Sequence, residues 1–80
     1  MSKDIEEKIE LILKEINKTI EYRDELHLRE DLNLDSLEVI KFLFDVELQM
    51  NIEIPEEDID QYELMKLGNL CRYIENKAAL

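Results

Sequence analysis

The sequence predicts an all-α four-helix bundle, with three longer helices, one short one and a long first loop. Three observations carry that prediction. Apolar residues recur at helical spacing in three separate segments. Helix-capping residues stand just ahead of those segments. No stretch alternates apolar and polar residues for long enough to make a convincing strand. Eighty residues leave room for one domain, 1–80, with a core over about 5–77. A domain of this size buries only about 60% of the surface that its unfolded chain exposes. The core is therefore thin, and a deep catalytic cleft is not expected.

The first helix is predicted over about 5–18. Ile5, Ile9, Ile12, Leu13, Ile16 and Ile20 form one apolar stripe. Asp4 is its expected cap, with Glu7 three residues on completing a capping box. Residues 19–34 mix charges with Leu26, Leu28, Leu32 and Leu34. They read as a long ordered connection with its leucines tucked underneath, and loops of that length usually have a function. Asp35 caps the second helix, and Glu38 completes a second capping box. This helix runs to about Met50, where Asn51 can take the left-handed conformation that ends it. The short helix starts at Pro55, where a missing N–H costs nothing, and its acids Glu56, Glu57 and Asp58 suit the helix dipole. The last helix carries Leu67, Leu70, Cys71 and Ile74 on one face and ends near Asn76 or Lys77.

Composition removes several function classes. The chain has 21 acids and 10 bases, a formal net charge of −11. Nucleic acid and anionic membrane surfaces are recognised by Lys and Arg, so neither is an expected partner. Basic protein surfaces are. No apolar run approaches the length of a membrane span, and the acidic N-terminus lacks a signal peptide's apolar stretch. Cys71 is the only cysteine and His27 the only histidine. No internal disulfide and no thiolate or imidazole metal cluster can form, and a cytoplasmic location is the default. Cys71 reads as a small core residue, His27 as a loop residue packing or capping locally, and Tyr62 and Tyr73 as packed rings with hydroxyls toward water. The acids of 53–60 lack the spacing of a calcium-binding loop. The ends look compact, which suggests a free-standing protein; a monomer is expected.

The second helix has more apolar surface than one core-facing stripe requires. Val39, Phe42, Leu43, Val46 and Met50 suffice to face the core. Leu37, Ile40, Phe44 and Leu48 form a second series. Either the bundle wraps more than half of this helix, or the second series is a surface strip ready for a partner. The exposure of Phe44 separates the two. Residues 31–60 also hold ten acids against one base, Lys41, and so carry nine of the eleven net negative charges. Charge and apolar strip together predict docking by electrostatic steering followed by local burial, with modest, salt-dependent affinity.

Asp35-Ser36-Leu37 sits where the long loop meets this helix. Taken alone, the tripeptide is what any capped helix looks like. In context, the run Asp31-Leu32-Asn33-Leu34-Asp35-Ser36-Leu37-Glu38-Val39-Ile40 resembles the attachment segment of the acyl carrier protein family. The likeness continues to Glu53-Ile54-Pro55-Glu56-Glu57-Asp58, similar to the start of that family's short third helix, and to Leu67, Leu70, Tyr73 and Ile74 in the closing helix. The resemblance implies an acyl-carrier-protein-like bundle and no enzymatic activity. It implies that Ser36, flanked by Asp35 and Leu37, carries a covalent 4′-phosphopantetheine arm taken from coenzyme A. A separate Mg²⁺-dependent phosphopantetheinyl transferase would supply that chemistry, so Ser36 needs no base of its own. The arm's thiol would hold acyl groups as thioesters for acyl-loading and acyl-processing enzymes with basic docking surfaces. Leu37, Glu38, Ile40, Lys41, Phe44 and Glu47 are the expected docking residues.

Some positions depart from the family pattern. Asn33 stands where Gly is frequent, and Asn tolerates the left-handed conformation. Lys41 stands where fatty-acid carriers usually have Glu, Phe44 replaces a common Met, and Leu48 replaces a common acid. The connection before the last helix looks about two residues longer than usual. These changes favour a carrier for a specialised pathway (polyketide, amino-acyl or hybrid). The alternatives are a housekeeping fatty-acid carrier and an unmodified acidic interaction module. A hydrolase built on Ser36 and His27 would need a strained nucleophile turn and an oxyanion site, and neither is visible in the sequence.

Overall fold

Helix caps and apolar stripes set the architecture. The computed structural model describes residues 2–78 and contains α1 (Ser2–Ile16), α2 (Ser36–Met50), α3 (Glu56–Gln61) and α4 (Leu67–Ala78). Among the described residues the only β pairing is an isolated bridge between His27 and Lys66. α1 packs against both α2 and α4.

α1 starts earlier than the sequence suggested. Asp4 lies within its first turn and not at its cap, where an acid still suits the positive end of the helix dipole. Its C-terminus comes at Ile16, because Asn17 diverts the backbone. The Asn17 Oδ1 accepts from the Thr19 amide at 3.0 Å and from the Thr19 hydroxyl at 2.8 Å, a local bond that competes with helix continuation. Ile9, Ile12 and Leu13 are buried, as is Ile20 beyond the helix end, while Ile16 is left at the surface.

The long connection is ordered by its backbone. Leu26, Leu28 and Leu34 are buried and Leu32 is half-buried. The Leu28 amide donates to the Met65 carbonyl and the Leu67 amide to the Leu26 carbonyl, both at 2.9 Å. The Gly68 amide donates to the Asp24 carbonyl at 2.9 Å. Glycine eases that approach, since a Cβ at position 68 would stand a tight 3.0 Å from the Asp24 oxygen. Asn33, at φ 56, takes the left-handed turn expected of it just before α2.

α2 opens with a complete capping box. The Asp35 carboxylate accepts from the Glu38 amide at 2.8 Å, and the Glu38 carboxylate accepts from the Asp35 amide at 3.0 Å. Asn51 closes the helix in the left-handed region, at φ 55 and ψ 48. Pro55 is the cap of α3 and not its first residue, with extended dihedrals. α3 has no fully buried residue. Its ends are held instead by Ile54, which is buried, and Leu64, which is fully buried. Glu63, at φ 51, turns the chain toward α4. Leu67, Leu70, Cys71 and Ile74 all point into the core, as their spacing requires.

Tyr73 corrects one expectation. Its ring is buried and its hydroxyl donates to Asp58 and not to water, whereas Tyr62 is half-exposed beside it. Among the described residues no buried side-chain nitrogen or oxygen lacks a partner.

Candidate functional site

The site forms where the loop 19–34 hands over to α2. Ser36 is the first residue of that helix and is exposed. Helical N-terminal residues have no intrahelical partner for their amides, so this end favours negative charge. The acids on either side are already committed, because Asp35 and Glu38 bond each other's backbone amides. The first turn of α2 is thereby fixed, with the Ser36 hydroxyl at the surface. Leu37 is exposed beside it.

Sequence reasoning missed the partner of Ser36. Arg29 Nη1 donates to Ser36 Oγ at 3.2 Å. The only signal in the sequence is that Arg29 is the sole Lys or Arg between Arg23 and Lys41. Its position in a loop without periodicity gave no spacing from which to bring it to residue 36.

The surplus apolar series of α2 is at the surface. Leu37 is 78% exposed, Ile40 63%, Phe44 59% and Leu48 68%. Val39, Phe42, Leu43 and Val46 take the core. The exposure of Phe44 therefore decides for the surface strip. Glu38 and Lys41 are exposed along the same helix. Glu47 is half-buried, and its carboxylate accepts from the Ile54 amide at 2.8 Å, so it also ties the α2–α3 loop to α2. A groove of about 420 Å³ begins at Arg29 and Ser36 and runs between α2 and α3 along Ile40, Phe44, Ile54 and Ile59.

The remaining candidates are structural. His27 Nδ1 accepts from the amides of Arg29 and Glu30, each at 3.1 Å. This is the local capping expected of it, and it leaves that nitrogen unable to serve as a base. A guanidinium does not accept a proton, so Ser36 has no base in Arg29 either. Cys71 is buried, with Tyr22 Oη at 3.2 Å from its sulfur. Burial pushes its thiol up to about 11, with Glu6, Asp24 and Glu75 adding to the shift and the Tyr22 hydrogen bond opposing it. No cluster of three or more metal-ligating side chains occurs among the described residues. Among the described residues no helix is long and apolar enough to cross a membrane.

This geometry suits a group attached from outside: an exposed hydroxyl at a capped helix start, a cation touching it and, among the described residues, no base bonded to it. Comparison with known proteins agrees. The family model described as "Phosphopantetheine attachment site" matches residues 4–74. An acyl carrier protein of Wolinella succinogenes is 34% identical over 67 residues, covering 82% of this chain and 86% of that protein. An acyl carrier protein of Helicobacter pylori is 40% identical over 50 residues, covering 61% of this chain and 62% of that protein. One of Campylobacter lari is 38% identical over 47 residues, covering 59% of this chain and 58% of that protein. The chain belongs to the acyl carrier protein family: it is a carrier and not an enzyme, and its cofactor is a covalently attached 4′-phosphopantetheine.

Proposed function

We propose that Ser36 is the residue that bears the arm and that the exposed face of α2 is read by partner enzymes. The observation that carries this is the exposed Ser36 at the first turn of α2, with the apolar strip starting one residue later at Leu37. Ser36 supplies the ester oxygen. Asp35 holds the helix start through its bond to the Glu38 amide and so keeps that oxygen outward. When bound, the arm supplies a terminal thiol that carries acyl groups as thioesters. The groove beside Ser36 gives part of a cargo an apolar wall along Ile40, Phe44, Ile54 and Ile59.

The family membership brings a phosphopantetheinyl transferase and acyl-processing enzymes as partners. Leu37, Ile40 and Phe44 form the apolar part of the docking face, and Glu38, Lys41 and Glu47 its charged part. Ten acids over 31–60 steer it toward basic surfaces on those enzymes. Lys41 places a cation among the exposed apolar residues of that face. With Phe44 and Leu48, it supports a partner set belonging to a specialised pathway; a cytoplasmic location and a monomeric state are part of the same proposal. Incubation with coenzyme A and a promiscuous transferase tests the attachment. One arm should be gained, and none by Ser36→Ala; an unchanged mass would leave only an acidic interaction module. Offering the loaded protein to housekeeping fatty-acid enzymes tests the pathway. Turnover equal to that of their own carrier would remove the specialised assignment.

A further inference from the structure

Arg29 is a cation in contact with the attachment oxygen, and neither docking nor the fold calls for that contact. Its side-chain hydrogen bond among the described residues goes to Ser36 Oγ, at 3.2 Å. The root of this side chain is fixed. The Arg29 amide donates to His27 Nδ1 at 3.1 Å. Leu28, just before it, is fully buried and bonded through its amide to Met65 and through its carbonyl to Leu34. His27 itself is held by the Asp31 carboxylate, which accepts from the His27 amide at 2.8 Å. The loop thus presents a guanidinium to Ser36 from an anchored backbone.

The chemistry of attachment gives that cation a purpose. An ester oxygen is a poor acceptor, and the negative charge of a phosphodiester sits on the oxygens across the phosphorus, two bonds away. A guanidinium already within hydrogen-bond distance of Oγ can reach those oxygens. It exchanges a hydrogen bond to an uncharged hydroxyl for one to an anionic oxygen, in which both partners carry charge. The need is local. Asp35 and Glu38 flank Ser36, and residues 31–60 offer a single base of their own, Lys41. A further negative charge planted there meets repulsion unless a cation offsets it. Arg29 and Ser36 both line the groove between α2 and α3, so a phosphate held by Arg29 is rooted beside that groove.

We propose that Arg29 is a positioning residue for the arm, pairing with its phosphodiester once it is attached at Ser36. This rests on the attachment reading above. Arg29 touches no reacting thiol or acyl carbon and acts only by holding the arm's root. The pairing is at the surface, so salt competes with it.

The test uses the loaded protein and two variants, Arg29→Gln and Arg29→Lys. Arg29 is exposed, so both are expected to melt with the parent. Mass spectrometry first establishes that the arm sits on Ser36. The phosphorus NMR resonance is then followed from about 0.01 M to about 1 M salt, over which the Debye length falls from about 30 Å to about 3 Å. In the parent protein the resonance is expected to move with salt toward a free phosphodiester's position. In Arg29→Gln it should stand near that position throughout, and Arg29→Lys should fall between the two. In spectra selective for arginine side chains, loading should shift Arg29 and leave Arg23 and Arg72 in place. A resonance identical in the parent and Arg29→Gln at every salt, with Arg29 unmoved by loading, overturns the proposal while leaving the attachment intact. An arm found on any residue other than Ser36 overturns both.

Discussion

Tyr73 donates its hydroxyl proton to Asp58 Oδ2 at 2.6 Å, and this bond joins α4 to α3. α3 has no fully buried residue and is only six residues long, too short to be stable alone. It stays in place through Ile54 and Leu64 at its ends, Ile59 half-buried between them, and this phenol–carboxylate contact. The same helix forms one wall of the groove beside Ser36.

Replacing Tyr73 by Phe keeps the ring and removes the bond. Hydrogen bonds to charged groups contribute about 1.5–3 kcal/mol. In a domain of this size each kcal/mol corresponds to about 4–8 °C in melting temperature. Thermal unfolding of Tyr73→Phe should therefore shift down by roughly 6 °C or more, with faster amide exchange in α3. Unchanged melting and exchange would mean that α3 is held by its ends alone.

Two phenylalanines on one helix should behave oppositely. Phe42 is fully buried and Phe44 is 59% exposed. Phe42→Ala is expected to cost about 3–5 kcal/mol, near the whole stability of a small domain. Phe44→Glu should stay within about 0.5 kcal/mol of the parent, while partner enzymes turn over the loaded protein more slowly. Circular dichroism melts with single-turnover transfer assays separate the effects. Loss of helical content in Phe44→Glu would place that ring in the core.

The sequence made much of this legible because its signals are local. The two apolar series of α2 differ by one residue in register, which is enough to assign one to the core and leave the other as surplus. Asp35 and Glu38 stand three apart, the spacing of a capping box, and Asn33 and Asn51 sit where left-handed turns are needed. Ser36 was singled out by a motif spread over three segments and not by its own environment. What stayed hidden depends on contacts between distant segments. The Arg29–Ser36 bond, the His27–Lys66 bridge and the Tyr73–Asp58 bond link loops and helices through paths that no periodicity reports. The start of α1 was misplaced for a simpler reason. An acid near a helix start serves equally as a cap or as a first-turn residue, and Asp4 is the latter.

Gly68 is the single glycine of the chain, and it stands where α4 comes close to the loop at Asp24. Gly68→Ala puts a methyl 3.0 Å from the Asp24 carbonyl oxygen and 3.1 Å from the Asp24 Cβ. Overpacking of this kind costs about 1–3 kcal/mol, against about 1 kcal/mol of better helix propensity. The expected outcome is a net loss of about 1 kcal/mol in chemical denaturation. A gain in stability would show that the loop yields freely at Asp24.

Alkaline pH should weaken the fold through Cys71. Burial holds its thiol at about 11, above its ordinary 9.0. The folded chain keeps this proton after the unfolded chain has lost it. Its stabilising contribution is therefore complete below about pH 9 and drains away as pH rises from about 9 to 11. Tyr22 and Tyr73 are also raised, by burial first and then by their bonds to Asp24 and Asp58, and extend the loss above pH 10. Melting temperatures measured from pH 8 to 11 should fall, and fall less steeply in Cys71→Ala. Parallel slopes for parent and variant would rule out the thiol as a cause.

The tether itself is open to one direct reading. Peptide-resolved mass spectrometry of the protein purified from its own cells reports the modified residue and its cargo together. A phosphopantetheine on the peptide containing Ser36, free or acylated at its thiol, is the predicted result. A chain recovered wholly unmodified from growing cells, or bearing the group at another side chain, would contradict the account.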